Sequence, residues 1–70
     1  MVYVSIETEA GKAVALGRLF ERFGCEIVDC RTDGLRVGLP EASNEAEAAA
    51  EARLYLSMRP PGSGASRVAA

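Results

Sequence analysis

Apolar and polar residues alternate at the start of the chain, and the pattern then becomes helical. Val2, Val4 and Ile6 alternate with more polar neighbours, which predicts a half-buried strand. From Gly11 to Ile27 the apolar residues recur at steps of three and four, which predicts an amphipathic helix ending at about Phe23. Its apolar stripe consists of Ala13, Leu16, Leu19, Phe20 and Phe23. This stripe carries both phenylalanines of the chain, so we expect the strands to pack against it.

Particular residues mark the ends of this helix. Thr8 is a suitable N-cap, and Glu9 would then lie in the first turn, where the helix dipole favours an acid. Gly24 stands where a left-handed C-terminal cap is needed. We therefore expect the second strand to begin directly after Gly24.

A β-hairpin is predicted next. Residues 25–32 and 35–39 flank Asp33-Gly34, a dipeptide suited to a two-residue turn. Pairing about this turn gives an inner, apolar face and an outer face that can meet water. The inner face consists of Val28, Cys30, Leu35, Val37 and Leu39. The outer face consists of Ile27, Asp29, Arg31, Arg36 and Gly38. Ile27 fits the outer face poorly, and a bulge near Cys25 or a covered outer face would resolve this conflict.

A second helix is predicted after Pro40, with Ser43 or Asn44 as its N-cap. Its predicted apolar stripe consists of Ala46, Ala50, Leu54 and Met58, with Tyr55 beside it. From residue 60 the chain is rich in turn-forming and small residues, which predicts a flexible tail over 60–70. The alternative is that residues 66–69 add a short strand.

The order strand, helix, strand, strand, helix predicts an α+β fold in a single domain over residues 1–59. A right-handed crossover places the third strand between the first two and antiparallel to both. These are five of the six elements of a ferredoxin-like sandwich, with two helices on one face of a three-stranded antiparallel sheet. The missing fourth strand would leave one edge of the first strand open. The tail, a second copy or a partner's strand could occupy this edge, and the candidate interface is Val2, Tyr3, Val4 and Ser5.

Length and charge set limits on partners. Seventy residues bury a modest core, and self-association is a common source of extra stability, so we expect a homodimer. Residues 1–58 carry ten acids and six bases, a net charge of −4, which argues against nonspecific nucleic-acid binding. Arg31 and Arg36 are expected to face each other, with Tyr3 beside Arg36. One tyrosine makes a poor stacking platform, so nucleic acid is not an expected partner.

The residues of catalysis and metal binding are scarce. The sequence contains no histidine and two cysteines, Cys25 and Cys30, which lie roughly 16 Å apart on opposite faces of a strand and so cannot form a disulfide. We expect Cys30 in the core and Cys25 as the more accessible thiol. Neither has a histidine base, and no set of metal ligands is present. The sequence therefore predicts no enzyme, no cofactor and no metal site. Free thiols without a signal peptide or a long apolar run indicate a cytoplasmic protein without a membrane partner.

Residues 9–27 contain a pattern that resembles a known family. Gly11, Leu19-Phe20, Gly24 and Ile27 stand in the order and at about the spacing found in ACT domains, which are small regulatory modules with a ferredoxin-like fold. Ala10 replaces the usual proline and Glu26 the usual asparagine. The resemblance implies side-by-side dimers that bind a small polar ligand, often an amino acid, near the loop before the first helix. The candidate ligand-binding residues are Thr8, Ala10, Gly11 and Lys12.

Two functional hypotheses follow from these features. The first is a regulatory, non-enzymatic module, dimeric and ACT-like, that binds a small polar ligand near Thr8 to Lys12. The second is an adaptor or inhibitor that takes no small ligand and binds another protein, or a second copy of itself, through the open strand edge or the Ala-rich second helix. A thermal-shift panel of amino acids and metabolites distinguishes them.

Overall fold

Four antiparallel strands and two helices make up the part of the chain that the computed structural model describes, which is residues 1–60, 62 and 64–69. The elements are β1 (Val2–Thr8), α1 (Ala13–Arg22), β2 (Glu26–Cys30), β3 (Gly34–Leu39), α2 (Glu45–Ser57) and β4 (Ser66–Ala69). The strands form one sheet in the order β2-β3-β1-β4. The predicted α+β class and the place of β3 between β1 and β2 are confirmed.

One face of the sheet carries the hydrophobic core. Val4 and Ile6 of β1 are buried while Tyr3, Ser5 and Glu7 are exposed, as the alternation predicts. The other buried residues of the sheet and helices join them in one cluster. They include Leu35, Val37 and Leu39 of β3, Ala13, Leu16 and Phe20 of α1, and Ala48, Ala52 and Leu56 of α2. Both helices therefore lie over the same face of the sheet.

The sequence correctly predicted the C-terminal end of α1 but not its N-terminal end. The helix begins after Lys12, whose side chain makes no capping hydrogen bond. The prediction of a Thr8 cap was wrong, because Thr8 is the last residue of β1. At the other end Gly24 has φ +85°, and the N–H groups of Gly24 and Cys25 donate to the carbonyls of Glu21 and Phe20 at 3.0 and 3.1 Å. This is a Schellman cap, and it confirms the predicted role of Gly24.

The hairpin turn lies one residue earlier than predicted. The N–H of Arg31 donates to the carbonyl of Gly34 at 2.8 Å, so Thr32 and Asp33 form the turn and Gly34 begins β3. The carbonyls of the turn accept hydrogen bonds from the end of β1, where Thr8 N donates to Asp33 O at 2.9 Å, and from the loop that follows it. Contacts outside the hairpin thus help to set the position of its turn.

This shift and a bulge at Val28 change which side chains of β2 face the core. Ile27 pairs with Val37 and Asp29 pairs with Arg36, which leaves Val28 as the extra residue. Ile27 packs against the core, so its assignment to the outer face was wrong. The inner-face assignments of Val28 and Cys30 were also wrong, because Val28 is 53% exposed and Cys30 is exposed. A bulge does resolve the conflict at Ile27, three residues beyond Cys25.

The second helix has the predicted cap and a different buried face. The Asn44 side chain accepts a hydrogen bond from Glu47 N at 2.9 Å, and Glu47 reaches back to Ser43 N at 3.2 Å, a reciprocal arrangement typical of helix starts. The predicted core stripe was wrong, because the buried residues of α2 are Ala48, Ala52 and Leu56. Tyr55 lies on the side of α2 that faces α1, and its ring stacks on Phe23 at 4.3 Å between centroids. The helix is therefore turned about its own axis relative to the predicted orientation.

A fourth strand replaces part of the predicted flexible tail. β4 pairs antiparallel with β1, from Ser5 opposite Ala69 to Thr8 opposite Ser66, so the three-stranded sheet was wrong. Val68 packs against the core and Arg67 forms an ion pair with Glu7 at 2.8 Å. One apolar residue in a four-residue strand gives little periodic signal. The alternative of a short strand over residues 66–69 is thus confirmed. Of the other tail residues, 60, 62, 64 and 65 lie in neither a helix nor a strand, and 61, 63 and 70 lie outside the described residues.

Candidate functional site

The loop predicted to bind a small ligand bonds to the hairpin turn. Gly11 has φ +85°, a conformation that favours glycine. Its N–H donates to the carbonyl of Thr32 at 2.8 Å. The backbone group of Gly11 that would hold a carboxylate is therefore already bonded within the chain.

The segment before β4 covers the same loop. Thr8 Oγ1 donates to the carbonyl of Ala65 at 3.3 Å, and Lys12 Nζ donates to the carbonyl of Gly62 at 3.4 Å. Ala65 N also donates to Glu9 Oε2 at 2.9 Å. Thr8, Gly11 and Lys12 therefore each bond to a neighbouring segment of the chain, whereas Ala10 is exposed. Ligand binding by these residues stays a prediction.

The predicted strand interface is only partly open. Ser5 pairs with Ala69 of β4, whereas Val2, Tyr3 and Val4 have no partner on that side among the described residues. The tail therefore occupies the edge of β1 from Ser5 to Thr8.

The outer face of the sheet carries charges of both signs. Arg36 lies 5.6 Å from the centre of the Tyr3 ring, which confirms the predicted neighbourhood. Arg36 pairs with Asp29 rather than Arg31, so the predicted pair of facing arginines was wrong. Arg31 instead forms an exposed ion pair with Asp29 at 3.4 Å. A shallow depression of about 550 Å³ on this face is lined by acids and arginines together, so it does not select one sign of ligand charge.

An exposed apolar stripe runs along the side of α2 that faces away from the sheet. We call it the α2 outer face. It consists of Ala46, Ala50, Leu54 and Met58. Leu54 and Met58 are each 53% exposed. Glu47 and Arg53 flank the stripe on opposite sides, because successive residues of a helix are about 100° apart.

The sequence placed this stripe in the core because two apolar stripes share α2. Ala48, Ala52 and Leu56 repeat at the same four-residue step as the outer stripe. Tyr55 lies beside the inner stripe and contacts Phe20 and Phe23. Aromatic residues contribute the largest buried area, and their position was the signal that would have identified the inner face.

The burial of the two thiols is the reverse of what the sequence predicted. Cys25 is buried and Cys30 is exposed. Burial, with a smaller contribution from the charge of Glu51, raises the pKa of Cys25 above the usual thiol value. Burial and Glu51 also raise the pKa of the Tyr55 hydroxyl. A raised pKa keeps a thiol protonated, which is the opposite of an activated nucleophile.

The described residues contain no group of three or more Cys, Asp or Glu side chains placed to hold a metal ion. In the same part of the chain, neither helix has the length and apolar composition needed to cross a membrane. Comparison with models of known protein families, with curated proteins and with solved structures finds no match.

Proposed function

We propose that this protein is a small, non-enzymatic interaction module with a ferredoxin-like fold, and that it works as a homodimer joined through the α2 outer face. One observation carries the proposal. Leu54 and Met58 are more than half exposed on a helix whose opposite side is fully packed. Large apolar side chains that are aligned on one exposed helix face are typical of contact surfaces.

The chain order and the sheet order support the ferredoxin-like assignment. The elements follow one another as β-α-β-β-α-β, and the antiparallel sheet has the order β2-β3-β1-β4 with both helices on one face. This is the arrangement of a split βαβ sandwich. The ACT resemblance of residues 9–27 agrees with this arrangement and identifies no ligand by itself.

The α2 outer face is complementary to a second copy of itself. An antiparallel pair of α2 helices with a two-fold axis at Ala50 sets residue i of one copy opposite residue 100 − i of the other. Ala50 then faces the partner's Ala50, and Ala46 faces the partner's Leu54. Small residues at the centre allow close helix approach, and each leucine fills the space above an alanine. A two-fold contact of this kind is closed and gives a dimer rather than a filament.

One helix pair lies at the small end of specific interfaces, about 1,200 Å² or less. We therefore expect a dissociation constant in the range of about 1 to 100 μM.

Sedimentation velocity across a concentration range around about 10 μM tests the dimer. Leu54→Glu places a charge against the partner's Ala46 and should leave a monomer. Val14→Glu is the matched control, because Val14 is 60% exposed on α1 and lies outside the α2 outer face. We expect this control to dimerise like the natural chain, and circular dichroism should show both variants folded.

Ala46→Glu tests the antiparallel register, because residue 46 faces the partner's Leu54 in this arrangement. The charge placed there should weaken association by about tenfold or more. A monomeric natural chain at about 0.5 mM, or equal behaviour of Leu54→Glu and Val14→Glu, would refute the proposal.

The ACT-like ligand site stays the alternative prediction. A ligand at Thr8 to Lys12 must replace contacts such as the one between Gly11 N and Thr32 O. In a thermal-shift panel, a ligand at 100 times its dissociation constant adds roughly 2.7 kcal/mol of stability. A compound that raises the melting temperature, with a response lost in Lys12→Ala, would establish this site.

A further inference from the structure

Four of the eight cations of this acidic chain line a single groove. We call it the basic groove. Lys12, Arg18 and Arg22 border it from the side of α1, and Arg59 borders it from the segment after α2. None of the described residues that line the groove is acidic. A chain with net charge −2 thus concentrates half of its positive charge in one place.

The spacing of these residues along α1 explains why they converge. Lys12, Ala15, Arg18 and Arg22 follow one another at three or four residues, so they lie on one side of the helix. Ten residues separate Lys12 from Arg22, a distance of about 15 Å along the axis. Arg59 comes from the neighbouring segment, where its guanidinium donates to the carbonyl of Leu56 at 3.1 Å.

No ion pair between described residues involves a cation of the groove. The ion pairs found in the described part of the chain join Asp29 to Arg31 and Glu7 to Arg67, and neither lies at the groove. Like charges held within about a Debye length of one another repel. Bound carboxylates would relieve this repulsion. The arginines on the outer face of the sheet differ, because acids already lie beside them.

The floor of the groove is apolar. Ala15, Leu16, Leu19 and Pro60 contribute to its lining, and no aromatic residue does. Leu19 is half-buried, so one side of it remains available to an incoming side chain. The groove has a volume of about 370 Å³, at the small end of ligand pockets, which suits one anchoring side chain rather than a large cofactor.

We propose that the basic groove binds an acidic segment of a partner protein. Its carboxylates pair with Arg18 and Arg22, and one apolar side chain packs over Ala15 and Leu19. A helical partner with acids one turn apart matches the spacing of the two arginines. A nucleic acid fits the groove less well, because the lining offers no ring for base stacking and the acidic body repels a polyanion.

This site is independent of the proposed dimer. Arg18 and Arg22 lie on α1, and the dimer is assigned to the α2 outer face. A failure of one proposal therefore leaves the other intact, and the experiments use different variants and different readouts.

The test measures fluorescence anisotropy with a fluorescein-labelled helical peptide of about 14 residues, roughly four turns, with Glu and Leu on one face. We expect binding at about 0.02 M salt that weakens at about 0.15 M salt. Replacing the leucines of the peptide by serine should also weaken binding, because the apolar anchor is lost.

Two double variants with the same change in charge locate the site. Arg18→Glu with Arg22→Glu should raise the dissociation constant by about tenfold or more. Arg31→Glu with Arg36→Glu, on the outer face of the sheet, is the matched control and should change it by less than about threefold, through the general change in net charge alone. Circular dichroism should show both folded.

Several results would overturn the proposal. One is the absence of peptide binding by the natural chain at low salt. Another is an equal loss of affinity in the two double variants. Equal binding of the leucine and serine peptides would show that the groove attracts charge without an apolar anchor. Tighter binding of a single-stranded RNA of the same net charge would assign the groove to nucleic acid instead.

Discussion

Gly17 lies on the buried side of α1, where the helix crosses β2 and β3, and substitution there measures how closely the layers pack. A Cβ atom at this position would lie 3.6 Å from Leu35 Cδ1 and 3.9 Å from Ile27 Cγ1. These are ordinary van der Waals distances, so an added methyl group fits without displacing its neighbours. We therefore expect Gly17→Ala to stabilise the fold, although the residue is buried.

The magnitude follows from two contributions. Alanine is more favourable than glycine inside a helix by about 0.8 to 1.0 kcal/mol. Burial of the methyl group adds up to about 0.8 kcal/mol. Since measured effects fall below such sums, we expect a gain of about 1 kcal/mol in the free energy of unfolding. For a chain of this size that is a rise in Tm of about 4 to 8 °C.

Urea denaturation followed by circular dichroism at one fixed protein concentration gives the measurement. The matched control is Gly24→Ala. A Cβ atom at Gly24 would meet no atom within 4 Å, but the residue has a φ of +85°, and a left-handed conformation costs an alanine about 1 to 2 kcal/mol. The two substitutions should therefore have opposite signs. Destabilisation by Gly17→Ala would refute the separation between α1 and the sheet, and stabilisation by Gly24→Ala would refute the cap.

Three further predictions concern thiols, the α2 cap and a surface ion pair. A maleimide at neutral pH should label Cys30 much faster than Cys25, and equal rates would contradict the corrected β2 register. Because its pKa is raised in the folded chain, the buried Cys25 thiol contributes stability that is complete below its unfolded pKa and is lost as pH rises through the folded pKa. The urea midpoint should therefore fall above pH 9, and less so in Cys25→Ala. Asn44→Ala should cost about 1 kcal/mol in urea denaturation, since it removes the bond to Glu47 N. Arg67→Ala should cost less than about 0.5 kcal/mol, because the ion pair to Glu7 is exposed.

The sequence predicted the parts of the fold that strong local signals determine. The alternation of Val2, Val4 and Ile6 identifies β1, and the stripe that contains Phe20 identifies α1. Gly24 fixes the end of α1 because few other residues adopt its backbone conformation. The position of β3 between β1 and β2 followed from the handedness of the crossover alone.

The errors arose where contacts between distant segments determine the result. The hairpin turn at Thr32 and Asp33 accepts hydrogen bonds from the loop around Gly11, which no local turn preference reveals. The rotation of α2 depends on the stacking of Tyr55 against α1. β4 forms because β1 offers it a free edge.

The two candidate surfaces were missed for the same reason, because contacts between distant segments determine them. The α2 outer face escaped prediction because a helix with two apolar stripes has no preferred inner side before its neighbours are known. The basic groove escaped it because Arg59 joins the α1 cations only through the folding of the segment after α2. The spacing of Lys12, Arg18 and Arg22 was the signal that was available in the sequence.

The bulge at Val28 affects how this protein behaves when it is concentrated. β2 forms one border of the sheet, and the extra residue breaks the regular spacing of the backbone donors and acceptors that another molecule would need for cross-β stacking. Glu26 and Asp29 are exposed on the same short strand and add charge that opposes such stacking. The bulge and these charges therefore oppose fibril growth along this border.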